Sequence, residues 1–175
     1  MTIEMLKPKK ENAKEIFTLI KDTKILDLNS EYLYLLQTTH FSDYCCVALL
    51  ENKVVGFVSG YIHPQHADVY FVWQVGVDSS MRGQGLASQM ILNVLNRENL
   101  KNINYVHTTI SPSNLASQRV FEKLAKKFNV AVEKKILFEI KDFCNGSLLE
   151  VDASNPRVLR TSVASRRFHL HYSRP

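Results

Sequence analysis

The sequence predicts an α+β domain, a mixed central sheet flanked by helices. Three observations carry this. Segments alternating at period two are interleaved with segments of helical period. Their order is strand, two helices, three strands, helix, strand, helix, strand. A strand runs through a glycine turn straight into a helix between Val69 and Asn96.

Taken in order, Thr2 to Lys7 reads as a short strand. Glu11 to Lys21 reads as an amphipathic helix, with Ala13, Ile16, Phe17 and Ile20 on one side. Ser30 can cap a second helix that carries Tyr32, Leu33, Leu35 and Leu36. Tyr44 to Leu50 and Val54 to Ile62 are strands joined by a turn at Glu51-Asn52-Lys53, and a polar loop is expected over His63 to Asp68. Val69 to Asp78 is rich in β-branched and aromatic residues, as strands are. The helix after it places Leu86, Met90, Ile91, Val94 and Leu95 on one face. Tyr105 to Ile110 is a further strand. Asn114 opens a helix through about Phe128, with Leu115, Val120, Phe121 and Leu124 inward, and Val130 to Ile140 follows as a strand.

Composition narrows the function classes. The 175 residues suffice for one domain with a sizeable core. No run is long and apolar enough to span a bilayer, and the charged stretch Lys7 to Lys14 is unlike a signal peptide, so the cytoplasm is the expected compartment. Three cysteines suit a reduced interior. Cys45 and Cys46 are neighbours in an apolar strand, point to opposite faces, and read as packing residues. The net charge is +5, but much of the excess lies after Arg157. Before that point acids and bases nearly balance, which speaks against a nucleic-acid partner. His63 and His66 lack a third nearby ligand, so no metal is expected.

The turn Arg82-Gly83-Gln84-Gly85-Leu86-Ala87 is the chemical feature. Glycines let a ligand approach the backbone, and the first amides of a helix have no partner within it. The helix dipole adds positive potential there, and Arg82 supplies a charge. A phosphate therefore fits. Walker A would need a Gly-Lys-Ser/Thr ending and the dinucleotide fingerprint a third glycine, and both are missing. An ordinary strand-to-helix turn is the bland alternative.

Arg82-x-x-Gly85-x-Ala87, with the preceding Val75-x-Val77-Asp78 strand end, resembles the pyrophosphate loop of the GCN5-related N-acetyltransferases, the GNAT family. The element order is similar to that family's fold over about residues 2 to 145. Within the family, Ile25-Leu26-Asp27-Leu28-Asn29-Ser30, Phe71-Val72-Trp73-Gln74-Val75 and Thr108-Thr109-Ile110-Ser111-Pro112-Ser113-Asn114 resemble the branch that acetylates diaminobutyrate in ectoine synthesis.

The resemblance implies acetyl-CoA as co-substrate and acetyl transfer to the 4-amino group of L-2,4-diaminobutyrate by direct attack on the thioester. It implies that Arg82, Gly83, Gln84, Gly85, Leu86 and Ala87 hold the pyrophosphate. Val75 and Val77 would offer backbone groups to the pantetheine and thioester, with Asn114 and Ser117 nearby. A strand bulge near Gln74 to Val77, with Gly76 as its residue, would expose the oxyanion donor. Asp27, Tyr32, Trp73 and Thr109 would line the substrate site, and a homodimer is expected. Asp27 supplies an acid, and Trp73 a face for a cation–π contact. The general base is unassigned: His107 and a water relay are the alternatives. A polyamine acetyltransferase and an acyl-CoA-binding module without turnover are the rival readings.

Residues 1–147 are the expected acetyltransferase domain, and 148–175 an atypical Arg/Ser-rich tail, for which disorder, a divergent final strand and an altered end are the alternatives. The resemblance also implies an acidic substrate contact in this region, for which Glu150 and Asp152 are the candidates.

Overall fold

The computed structural model describes residues 2–138, 159–162 and 167–173. The 147/148 boundary, Glu150 and Asp152 lie outside the described residues. Two compact units are present, one made of residues through Ile62 with Val72–Asn102, the other of His63–Phe71 with the chain from Ile103 on. No helix of the described residues is long and apolar enough to cross a membrane.

The first unit holds β1 (Ile3–Leu6), α1 (Ala13–Thr23), α2 (Glu31–Thr39), β2 (Cys46–Leu50), most of β3 (Lys53–His63), the later half of β4 (His66–Val77) and α3 (Leu86–Leu95). β1, β2 and β3 pair antiparallel, and β3 neighbours β4. Glu51 and Asn52 join β2 to β3 with φ of 50° and 63°. Positive φ at both central residues marks the type I′ turn, whose twist matches that of the strands it joins.

Register sorts the side chains of β2 and β3 onto two faces. Val47 and Phe57 are partners, and both belong to a buried cluster with Ala13, Ile16, Leu19 and Ile20 of α1 and Tyr34 of α2. The next pair, Ala48 and Gly56, faces the other way, against Met90 of α3. So α1 and α2 cover one face, and α3 covers the other. All five residues expected inward on α3 are buried.

On α2 the buried residues are Tyr34, Gln37 and Thr38, while Tyr32 and Leu35 point outward. The Thr38 hydroxyl donates to the Tyr34 carbonyl at 2.9 Å, which lets a polar residue face inward. The first helix begins at Ala13 because residues Lys10–Asn12 form a 3-10 turn.

The expected loop over His63 to Asp68 is shorter than the sequence suggests. β3 continues to His63 and β4 resumes at His66, so only Pro64 and Gln65 turn. The Gln65 amide donates to His63 Nδ1 at 3.2 Å and closes the turn locally.

The second unit holds the start of β4, β5 (Tyr105–Thr109), α4 (Leu115–Lys127), β6 (Ala131–Phe138), β7 (Leu159–Ser162) and β8 (Arg167–Ser173). β8 runs parallel to both β5 and β6, and β7 is antiparallel to β6. The tail thus supplies two strands. Arg-Phe-His-Leu-His-Tyr-Ser over 167–173 alternates polar and apolar residues at period two, the pattern of a strand. Phe121, Leu124 and Ala125 of α4 are buried, but Leu115 is exposed.

Cys45 and Cys46 are buried packing residues. Burial pushes the Cys45 thiol up to about 12 and the Cys46 thiol up to about 11. Only thiolate reacts readily, so both are inert in the folded chain. In a Cys144→Ser variant, Ellman's reagent at pH 8 is expected to find no fast thiol before denaturant and two after it. A fast native thiol would contradict this packing.

Candidate functional site

The turn between β4 and α3 is built by short-range bonds. Asp78 accepts from the Ser80 amide at 2.9 Å and from the Ser80 hydroxyl at 2.6 Å. These bonds, the hydroxyl's first, hold its carboxyl below the ordinary carboxylate range, with Arg82 adding to the effect. The stabilisation is present above the ordinary carboxylate pKa and is lost as pH falls through the lowered value. The Asp78 carboxylate is therefore ionised at neutral pH. Its 3-10 segment, Ser79–Met81, delivers an exposed Arg82 to the start of the glycines.

Gly83 and Gly85 adopt φ of 78° and 77°, a region that favours glycine. Gly85 is also the residue that precedes α3. It has no side chain, so it cannot cap the helix. By contrast, the Ser30 hydroxyl caps α2, accepting from the Leu33 amide at 3.3 Å, and Asn114 Oδ1 caps α4, accepting from the Ser117 amide at 3.0 Å. Gln84 donates to the Ser80 carbonyl at 3.3 Å, and Gln89 donates to the Gln84 carbonyl at 3.4 Å. Side-chain amides thus engage the loop's carbonyls. The first amides of α3, with no side-chain cap, the helix dipole and Arg82 together put donors and positive potential at this turn.

Alternation along β4 sorts the residues upstream of this turn. Val72, Gln74 and Gly76 are buried, while Trp73, Val75 and Val77 are more open. A Cβ on Gly76 would lie 2.5 Å from Ile20 Cδ1, so α1 packs directly on β4 at this glycine. Trp73 is 41% exposed and meets the Tyr61 ring edge-on, with centroids 5.9 Å apart.

Gln74 faces the α1–α2 side. Its Nε2 donates to the Asp27 carbonyl at 2.6 Å, and its Oε1 accepts from the Tyr34 hydroxyl at 3.2 Å. The Tyr34 oxygen in turn accepts from the Asn29 amide at 3.4 Å. Asp27 thus sits on an exposed connection whose backbone is tied to β4, with its carboxylate open to solvent. Tyr32 is 67% exposed on the first turn of α2.

The structure therefore brings the Asp27 backbone to the strand that bears Trp73, but turns Trp73 to the opposite face of that strand from Gln74. Gln74 and Tyr34 were not foreseen as site residues. The available signal was one polar side chain within the inward series Val72, Gln74, Gly76.

The second unit carries the remaining expected residues. Thr109 ends β5, half-buried. Asn114 is the α4 cap, and that role engages its oxygen while leaving its amide donors. Ser117 gives its amide to that cap. The His63 and His66 rings meet at a tilt of 42° with centroids 4.8 Å apart, and the His107 ring lies 6.4 Å from His63. Among the described residues no group of His, Cys, Asp or Glu is placed to hold a metal ion.

The chain matches the model of the acetyltransferase (GNAT) family over residues 13–125. It is 44% identical over 132 residues to an L-2,4-diaminobutyric acid acetyltransferase of Halalkalibacterium halodurans, spanning 75% of this chain and 69% of that protein. It is 42% identical over 137 residues to the protein so named in Methylotuvimicrobium alcaliphilum, spanning 78% of this chain and 80% of the relative. Among solved structures, it is similar to the diaminobutyrate acetyltransferase of Paenibacillus lautus in complex with its substrate L-2,4-diaminobutyric acid and coenzyme A. The TM-score is 0.82 at 31% identity, covering 93% of this chain and 95% of that one.

Proposed function

This chain belongs to the acetyltransferase (GNAT) family, and on that premise we propose that it acetylates the 4-amino group of L-2,4-diaminobutyrate, using acetyl-CoA. The observation that carries this reading is the likeness, over nearly the whole chain, to a structure holding that amine and coenzyme A. The α3 turn supports the cofactor half, because its uncapped amides and Arg82 suit a diphosphate.

The chemistry needs a neutral amine. A free alkyl ammonium has a pKa of about 10.4, so a proton must leave on the enzyme. The nitrogen then attacks the thioester carbonyl, forming the C–N bond as the carbonyl oxygen becomes an oxyanion. Collapse breaks the C–S bond, and the thiolate takes up a proton. In our reading a β4 backbone amide near Val75 donates to the oxyanion. Arg82 and residues 83–87 hold the pyrophosphate, Val75 and Val77 meet the pantetheine arm through their backbones, and Asn114 and Ser117 add polar contacts to it. Asp27 pairs with a substrate ammonium, and Tyr32, Trp73 and Thr109 complete its surroundings. The group that takes the ammonium proton is left unassigned. The protein acts as a cytoplasmic homodimer.

Coenzyme A release with diaminobutyrate, ornithine, lysine, putrescine and spermidine tests the substrate. Preference for diaminobutyrate supports the assignment. A polyamine preference retires it while keeping the reaction, and silence with acetyl-CoA bound retires turnover. Asp27→Asn is expected to raise the amine KM about thirtyfold, from loss of a charge-assisted contact of about 2 kcal/mol, with the acetyl-CoA KM unchanged.

A further inference from the structure

We infer that Gln74 and Tyr34 form a positioning pair that holds Asp27 where it meets the substrate ammonium; the inference rests on the role just proposed for Asp27. Asp27 lies in the connection between α1 and α2, where no helix or sheet ladder fixes the backbone. Left to itself, such a segment samples many backbone states, and its carboxylate would be spread over them. Two bonds from one site remove that freedom. Gln74 Nε2 donates to the Asp27 carbonyl, and Tyr34 Oη accepts from the Asn29 amide, so the segment is tied on both sides of Leu28.

The anchor is itself fixed. Gln74 is 6% exposed and lies on the strand from which α3 and its loop depart. Tyr34 is fully buried, with its ring edge-on to Phe17 at 5.9 Å and to Phe57 at 6.5 Å. The Tyr34 hydroxyl proton goes to Gln74 Oε1, which sets the amide orientation and leaves Nε2 to face the Asp27 carbonyl. A buried amide in a strand is costly unless both ends are satisfied, and here both are. The strand that carries Trp73 therefore also orients Asp27, through the next residue along.

The test is a kinetic series on the full chain with diaminobutyrate and acetyl-CoA. Gln74→Leu removes both bonds at similar volume. Gln74→Glu keeps the shape but replaces the donor by an acceptor. Tyr34→Phe deletes one hydroxyl and keeps the buried ring. The expected result is an amine KM raised about tenfold in both Gln74 variants and about threefold in Tyr34→Phe, each with the acetyl-CoA KM within twofold. Because Gln74 acts through Asp27, the double variant Gln74→Leu/Asp27→Asn is expected to lose no more than Asp27→Asn alone.

An unchanged amine KM in the Gln74 variants, beside a raised one in Asp27→Asn, overturns the positioning role and leaves the Asp27 assignment standing. Losses that multiply in the double variant overturn it as well. An unchanged amine KM in Asp27→Asn overturns both. Should Gln74→Leu fail to fold, Gln74→Glu and Tyr34→Phe decide the matter, with acetyl-CoA KM reporting the integrity of the fold.

Discussion

Gly85→Val is expected to raise the KM for acetyl-CoA about a hundredfold while the amine KM moves less than about threefold. Gly85 sits at φ 77°, in the left-handed region, and is the residue from which α3 starts. A β-branched side chain there costs at least about 1–2 kcal/mol in backbone strain. The loop relieves that strain by leaving the conformation, which re-aims the first amides of the helix. Each charge-assisted bond to a pyrophosphate is worth about 1.5–3 kcal/mol, so losing one or two accounts for about 3 kcal/mol and thus the hundredfold. Gly83→Ala is the milder control. Its φ is 78°, but its Cβ would enter open space and it is not the residue from which α3 starts. Steady-state kinetics with each substrate varied in turn separates the two variants. Equal acetyl-CoA KM values for Gly85→Val and the parent would remove the loop from the cofactor site.

Gly76→Val is expected to destabilise the fold by about 3 kcal/mol, the upper range for overpacking a core. For a chain of this size that corresponds to a fall in Tm of about 6–12 °C. The added Cβ alone would lie 2.5 Å from Ile20 Cδ1 and 3.8 Å from Leu26 Cδ1. Ile20 is fully buried, so it has nowhere to retreat. Gly56→Ala offers the contrast. Its new Cβ would meet Met90 Cε at 2.8 Å, but Met is unbranched and yields readily. In a double-variant cycle, adding Ile20→Ala should recover part of the Gly76→Val loss. Equal Tm values for Gly76→Val and the parent would show that α1 does not pack on β4 there.

Much of this arrangement was legible in the residues because local rules and tertiary packing agree. The face of α3 was readable since its apolar residues recur at helical period and the same stripe is buried. The Ser30 and Asn114 caps were readable because each side chain does what that residue type does at a helix start. Periodicity did not assign an inward face to α2. Leucines and tyrosines populate several of its faces, so apolarity did not show that Tyr34, Gln37 and Thr38 turn inward. Leu115 misled for a similar reason, as an apolar residue at a helix end with no interior to meet. The Gln74–Tyr34–Asp27 connection joins residues far apart in the chain, and no local pattern encodes such a bond. The strand over 167–173 was one of the alternatives open for the tail, and its alternation was readable, but the Arg- and Ser-rich composition around it did not single that alternative out.

The uncapped start of α3 ties stability to ligand supply. An anion that binds the folded turn and not the unfolded chain adds free energy by mass action, about 2.7 kcal/mol at a ligand concentration one hundred times its Kd. On our reading of the turn, that anion is the coenzyme. The melting temperature is then a property of the solution as much as of the sequence. Protein purified free of coenzyme will look less robust than the same chain in a cell rich in acetyl-CoA, and variants are best ranked at a fixed, stated coenzyme concentration.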